Sequence, residues 1–175
     1  YFSRGVTYFL SQQFDNAVKD FDKYIRKEPK DPSAYLNRGA SYLFLGDTLS
    51  AVSDYNKAIR LDRFDPEGYV RRGRVYASQN KYDLAISDMD KAIEYLPRFE
   101  EYGDNDRGRA HDAAAVAFKA KVYAYWATWD ATQWGNVISM VNELETAYGR
   151  DLAGTYEELF SSDFSKWWNK EYIWT

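Results

Sequence analysis

The sequence predicts an all-α protein: three helix-turn-helix units stacked as a right-handed superhelix, extended by two further helices and an irregular C-terminal tail. Three observations predict it. Residues 1–31, 32–65 and 66–99 superpose at a period of 34 residues, the signature of a repeat architecture. Within each unit the large residues recur at spacings of three, four and seven, which places them on one face of a helix. Past the repeats the composition changes, and all six tryptophans lie between positions 126 and 174.

In the first helix of each unit, Tyr1, Tyr35 and Tyr69 coincide, then Gly5, Gly39 and Gly73, then Tyr8, Tyr42 and Tyr76. In the second, Ala17, Ala51 and Ala85 are followed by Phe21, Tyr55 and Met89, then by Tyr24, Ala58 and Ala92. Glycine on one helix and alanine on the other let antiparallel helices approach closely, and the rings fill the angled gap between them. Gly46-Asp47 and Gln79-Asn80 mark turns within units. Asp31-Pro32 and Asp65-Pro66 open the next unit, proline suiting the first helical position. Pro29 and Pro97 end their units, with Arg63 where the second should carry its proline. Asp20/Lys23, Asp54/Lys57 and Asp88/Lys91 read as exposed i,i+3 pairs, each contributing about 0.2–0.5 kcal/mol. These residues resemble the tetratricopeptide repeat (TPR) family across residues 1–99.

The polar run 98–109 reads as a loop. Ala110–Trp126 reads as a helix with Ala113, Ala114, Ala117, Ala120 and Ala124 at close contacts, and a second helix is expected over about 131–148. A turn at 149–155 and a helical turn at 156–160 follow, then 171–174, an extended segment or a cut end. The division expected is 1–99 as repeats and 100–175 as a helical extension packed on them.

From Lys81 onward the chain is also similar to the SusD/RagB family of nutrient-binding lipoproteins. The residues carrying this are Tyr82–Pro97, Gly108-Arg-Ala110, Ala113–Tyr123, Tyr156–Phe160 and Asn169–Trp174. The resemblance implies a glycan or other oligomeric nutrient as ligand and a TonB-dependent transporter as partner. It also implies an outer-membrane, cell-surface location through an N-terminal lipid anchor that this chain does not include; a cytoplasmic location stays open. Proteins of that family run to several hundred residues, and their early repeats are less regular than units one and two here. The chain therefore reads as a fragment, a short natural form or a composite joined near the third unit, with its N-terminus processed or trimmed.

Composition narrows the chemistry. With 45% hydrophobic and 29% charged residues over 175 positions, the chain can bury a core and is not of the disordered class. A net charge of −4 without any basic run argues against nucleic acid, whose phosphates need a basic stripe. The absence of cysteine excludes disulfides, thiolate metal sites and a cysteine nucleophile. No apolar run approaches the ~20 residues of a membrane span.

Catalysis finds no footing. His111, the only histidine, reads as a helix-end or packing residue rather than as the base of a triad. The acidic pairs Glu100-Glu101 and Glu157-Glu158 read as solvated. Asp104–Gly108 departs from a calcium loop, with its glycine one place early and Ala115 where a bidentate glutamate should stand. No catalytic residue, metal or cofactor is expected.

Two binding surfaces remain. First helices of TPR units line a groove that in this family takes a peptide, and here Phe2 and Val6 from unit one, Asn37, Ala40 and Phe44 from unit two and Arg71, Arg74 and Ser78 from unit three would face it. The chaperone-tail type of TPR clamps a terminal carboxylate; Asn37 and Arg71 match that pattern, whereas Phe2, Val6 and Glu67 depart from it. The second surface is an aromatic platform of Trp126, Trp129 and Trp134, joined by Trp167 and Trp168, whose faces suit the C–H faces of a sugar. The expectation is a non-enzymatic binding scaffold: the TPR-bearing part of a SusD-like nutrient-binding protein, or alternatively a TPR adaptor holding a protein or peptide in its groove.

Overall fold

A computed structural model describes residues 1–96 and 112–148, and among these every regular element is helical. The order is α1 Phe2–Leu10, α2 Phe14–Lys27, α3 Pro32–Phe44, α4 Thr48–Leu61, α5 Pro66–Ser78, α6 Tyr82–Tyr95 and α7 Asp112–Ala127. A 3-10 turn at Ala131–Gln133 then leads into α8, Trp134–Tyr148. The chain divides into two compact units, Tyr1–Val75 and Tyr76–Thr175.

Local sequence sets the helix boundaries. Asp31 accepts a hydrogen bond from Ser33 N at 2.9 Å with Pro32 opening α3, and Asp47 accepts from Ser50 N at 3.0 Å to open α4. Asp65 accepts from Glu67 N at 2.9 Å at the start of α5. Each satisfies an amide that the helix leaves without a partner. The three intra-unit turns share one geometry. Gln13 N donates to Tyr8 O, Asp47 N to Tyr42 O and Lys81 N to Tyr76 O, at 2.8, 2.8 and 2.9 Å. This is the helix-closing bond of a left-handed cap. The residues in the left-handed conformation are Gln12, Gly46 and Asn80, with φ of 59°, 81° and 58°. Glycine adopts it without strain and asparagine tolerates it, so two of the three turns are legible in the sequence while Gln12 is not.

The close approach expected of the repeat glycines is present at Gly5 and Gly39. A methyl on Gly5 would fall 2.8 Å from Phe21 Cε1, and one on Gly39 would fall 2.7 Å from Tyr55 Cε1. Phe21, Tyr55 and Met89 are all at most 1% exposed, each burial being worth about 1.5–3 kcal/mol for an apolar side chain. In the first unit, Tyr55 sits with Leu36, Ala51, Ala58 and Val75 at the centre of the core. In the second, Ala85, Ile86 and Val122 gather Tyr82, Phe118, Tyr123 and Trp126 around them. Arg63, standing in for the unit-ending proline, still performs that position's backbone role: its carbonyl accepts from Tyr69 Oη at 3.1 Å, as Pro29 O does from Tyr35 Oη at 3.0 Å.

Asp20, Asp54 and Asp88 correct one expectation. Read as exposed partners of the lysines three residues on, they are 2%, 5% and 4% exposed. Asp20 keeps a 3.6 Å contact with Lys23, but its main partner is Arg4, which grips it with two nitrogens. Arg38 holds Asp54 the same way, at 2.8 and 2.7 Å, and reaches Asp22 Oδ1 at 2.6 Å. Arg72 bonds Asn56, one period after Asp22. Arg38, on the first helix of its unit, thus ties that unit's second helix to the second helix of the preceding unit.

The hydrogen bond and charge of Arg4 hold the Asp20 carboxyl below its usual range, against the opposing effect of burial. A carboxyl whose folded pKa is depressed contributes stability that is complete above its unfolded pKa, near ~3.9, and disappears as pH falls through the folded value. Asp20→Asn should therefore be less stable than the parent chain at neutral pH, with the difference shrinking below about pH 4. Urea titrations across that range check it, and a gap that stays constant with pH would dismiss the linkage.

The long helices after the repeats fall close to expectation. α7 is described from Asp112, the expected start at Ala110 lying outside the described residues, and the second helix begins as a 3-10 turn because Asp130 captures Thr132 N at 3.1 Å and Thr132 Oγ1 at 2.6 Å. The loop at 98–109, His111, the turn at 149–155, the helical turn at 156–160 and the segment 171–174 lie outside the described residues. Among the described residues no helix is long and apolar enough to cross a membrane.

Candidate functional site

In the first unit Glu67, Arg71 and Arg74 follow one another at spacings of four and three along α5. Two guanidinium nitrogens of Arg71 bond one oxygen of Glu67, one turn earlier, Nε at 2.8 Å. Tyr55 also interacts electrostatically with Arg71. Burial works against the charge of Arg71, but Glu67 and Tyr55 outweigh it and hold its pKa above the usual value. Burial pushes the Tyr55 phenol up to about 12. Arg74, three residues on, is pushed down by burial and then by the like charge of Arg71. Two guanidiniums on one helix face favour a carboxylate as neighbour.

The other predicted groove residues behave differently. Asn37 Nδ2 donates to Ser33 O at 2.8 Å, back along its own helix. Phe44 remains 48% exposed, yet it stacks on Phe14 at 4.6 Å between centroids and meets Phe9 edge-on at 5.4 Å. Ala40 is 7% exposed and part of the packing rather than of an open surface. Phe2 lies against Phe21 and Tyr24, with centroids at 5.8 and 5.1 Å.

The tryptophans separate as well. Trp126 is partly buried, stacked with Tyr82 at 6.0 Å and Tyr123 at 6.3 Å. It belongs to the packing of α6 on α7, not to an open platform. Trp129 and Trp134 flank the 3-10 turn and are 84% and 46% exposed. Trp167 and Trp168 lie outside the described residues. Among the described residues no group of three His, Asp or Glu side chains is placed to hold a metal ion.

Sequence reading missed the buried arginine–aspartate column. Its signal was present: Arg4, Arg38 and Arg72 recur at the repeat period, each 16 residues before Asp20, Asp54 or Asp88. In the first two repeats sixteen residues span the turn and place the two side chains at one level of facing helices.

Two family models described as tetratricopeptide repeat match this chain, one over residues 2–66 and one over residues 66–99. Among solved structures, the TPR2B-domain:pHsp70 complex of yeast Sti1 is 31% identical with a TM-score of 0.51. That match covers 52% of this chain and 73% of the other. The TPR2AB-domain:pHSP90 complex of yeast Sti1 is 30% identical with a TM-score of 0.51, covering 53% of this chain and 36% of the other. The first TPR of Spaghetti (RPAP3) bound to the HSP90 peptide SRMEEVD shares the fold at 24% identity and a TM-score of 0.59, over 72% of this chain and 90% of that one. No curated protein matches the chain. The similarity of residues 81–175 to SusD/RagB proteins gains nothing from these matches and rests on its residues alone.

Proposed function

This chain belongs to the tetratricopeptide-repeat family, and on that premise we propose that it is a non-enzymatic adaptor that binds an extended, acidic peptide segment of a partner protein along the first helices of its repeats. The Arg71–Arg74 pair carries the reading: three residues apart on one face of α5, with the pKa of Arg74 lowered by burial and then by the like charge of Arg71, the two favour a carboxylate beside them. The two Sti1 structures, both complexes, support it from outside the chain. Recognition runs through acidic side chains and not through a clamped chain end, because Phe2 and Val6 depart from the pattern of such a clamp and Phe2 is committed to packing. The units 1–31, 32–65 and 66–99 are its modular frame.

Fluorescence anisotropy with labelled peptides graded in acidic content, SRMEEVD among them, tests the proposal. Acidic peptides should bind whether their C-terminus is free or amidated. The Arg71→Ala/Arg74→Ala double change should weaken binding by about tenfold or more, as expected on losing charge-assisted bonds. Added salt should weaken it too. Equal affinity of the double variant, with its helical content intact, would remove the first-helix surface from consideration.

A second reading keeps the nutrient-binding role, and its support is the exposure of Trp129. If acidic peptides fail while soluble oligosaccharides quench tryptophan fluorescence in a Trp129-dependent way, the glycan reading and its transporter partner take precedence.

A further inference from the structure

Arg4 and Arg38 each meet an aspartate as a matched fork, Nε on one carboxylate oxygen and Nη2 on the other. Arg71 does not. Its Nε, at 2.8 Å, and its Nη2 both converge on Oε1 of Glu67, so Oε2 lies outside the fork. The settings differ in the same sense. The side chains of Asp20 and Asp54 are 3% and 7% exposed, whereas that of Glu67 is 44% and that of Arg71 31% exposed.

A guanidinium bonds most strongly to a carboxylate that offers one oxygen to each of two nitrogens. One oxygen shared by two donors forgoes part of that bond. The Glu67–Arg71 contact is also of a kind that stabilises little, a partly exposed pair four residues apart on one helix. Arg71 keeps a second electrostatic partner in the buried Tyr55, so its place on α5 does not depend on Glu67. An incoming carboxylate with both oxygens free is therefore a better match for Arg71 than Glu67 is, and a half-exposed glutamate can turn into solvent to admit it.

We infer that Glu67 is an internal competitor of the ligand: it occupies the seat on Arg71 that a ligand carboxylate takes, and it is displaced on binding. This rests on the proposed capture of acidic peptides by Arg71 and Arg74, and it names the residue that limits how tightly they bind.

Fluorescence anisotropy with labelled SRMEEVD tests the inference. Glu67→Gln, which keeps the shape and an acceptor oxygen but removes the charge, should tighten binding about threefold, the scale of a partly exposed ion pair. In an Arg71→Ala background the same change should bring no gain, because the contested guanidinium is gone. Unchanged, weaker or undetectable binding by the Glu67→Gln chain would overturn the inference, the weaker result showing that Glu67 positions Arg71 instead. A gain of equal size in the Arg71→Ala background would overturn it too, by assigning the effect to the net charge of the chain. The adaptor reading fails by a different result, equal binding of the parent and the Arg71→Ala/Arg74→Ala chain. Binding that appears only after Glu67→Gln, and is lost again with Arg71→Ala, would support the competition directly.

Discussion

Arg38→Met is expected to destabilise the protein by about 3–5 kcal/mol, the usual cost of removing one partner from a buried ion pair. Arg38 makes three charge-assisted bonds, two to Asp54 and one to Asp22. Its side chain is 19% exposed and that of Asp54 is 7% exposed, so water cannot replace the lost donors. Burial already pushes the Asp54 carboxyl upward, and the bonds from Arg38 are the main counterweight. Without them the group must ionise unpaired or take up a proton. For the same reason the pair need not be stabilising relative to an apolar one. Arg38→Met/Asp54→Leu should therefore recover more than half of the loss. Urea unfolding of the two single variants and the double variant completes the cycle. An Arg38→Met chain within about 1 kcal/mol of the parent would contradict the role assigned to this column.

Gly39→Leu should cost about 1–3 kcal/mol through overpacking. A Cβ there lies 2.7 Å from Tyr55 Cε1 and 3.2 Å from the backbone oxygen of Ala51. The ring is 1% exposed and central to the first unit's core, so relief requires α3 and α4 to separate. Helix propensity acts in the opposite direction, since glycine in a helix costs about 1 kcal/mol relative to alanine. Gly135 isolates that contribution: it lies in α8, and a methyl added to it would meet nothing within 4 Å. Gly135→Ala should therefore stabilise while Gly39→Leu destabilises, and melting curves of both compare the effects directly. A Gly39→Leu chain as stable as its parent would mean the helices are not held in contact by this glycine.

The groove was only partly legible. Arg71 and Arg74 follow from repeat register, which says which face of a helix a residue occupies. Register does not say what else occupies that face, so Glu67 on Arg71, and Phe14 stacked on Phe44, came only with the structure. The tryptophans show the same limit. Trp126 and Trp129 are three residues apart on or next to one helix, yet one is packed against two tyrosines and the other is 84% exposed. Their difference depends on where α7 ends and what packs against it.

Sequence by itself determined the helical repeats, their period, their caps and their glycine–aromatic contacts. Those properties arise between residues a few positions apart or at one fixed offset, and they are written into residue type and spacing. Tertiary structure decided which charges are buried and which rings are exposed. Burial is a property of all the elements that surround a side chain, and those elements come from distant stretches of the chain. A spacing of 34 residues predicts a repeated helix pair; the environment of each side chain is set only when the pairs have packed.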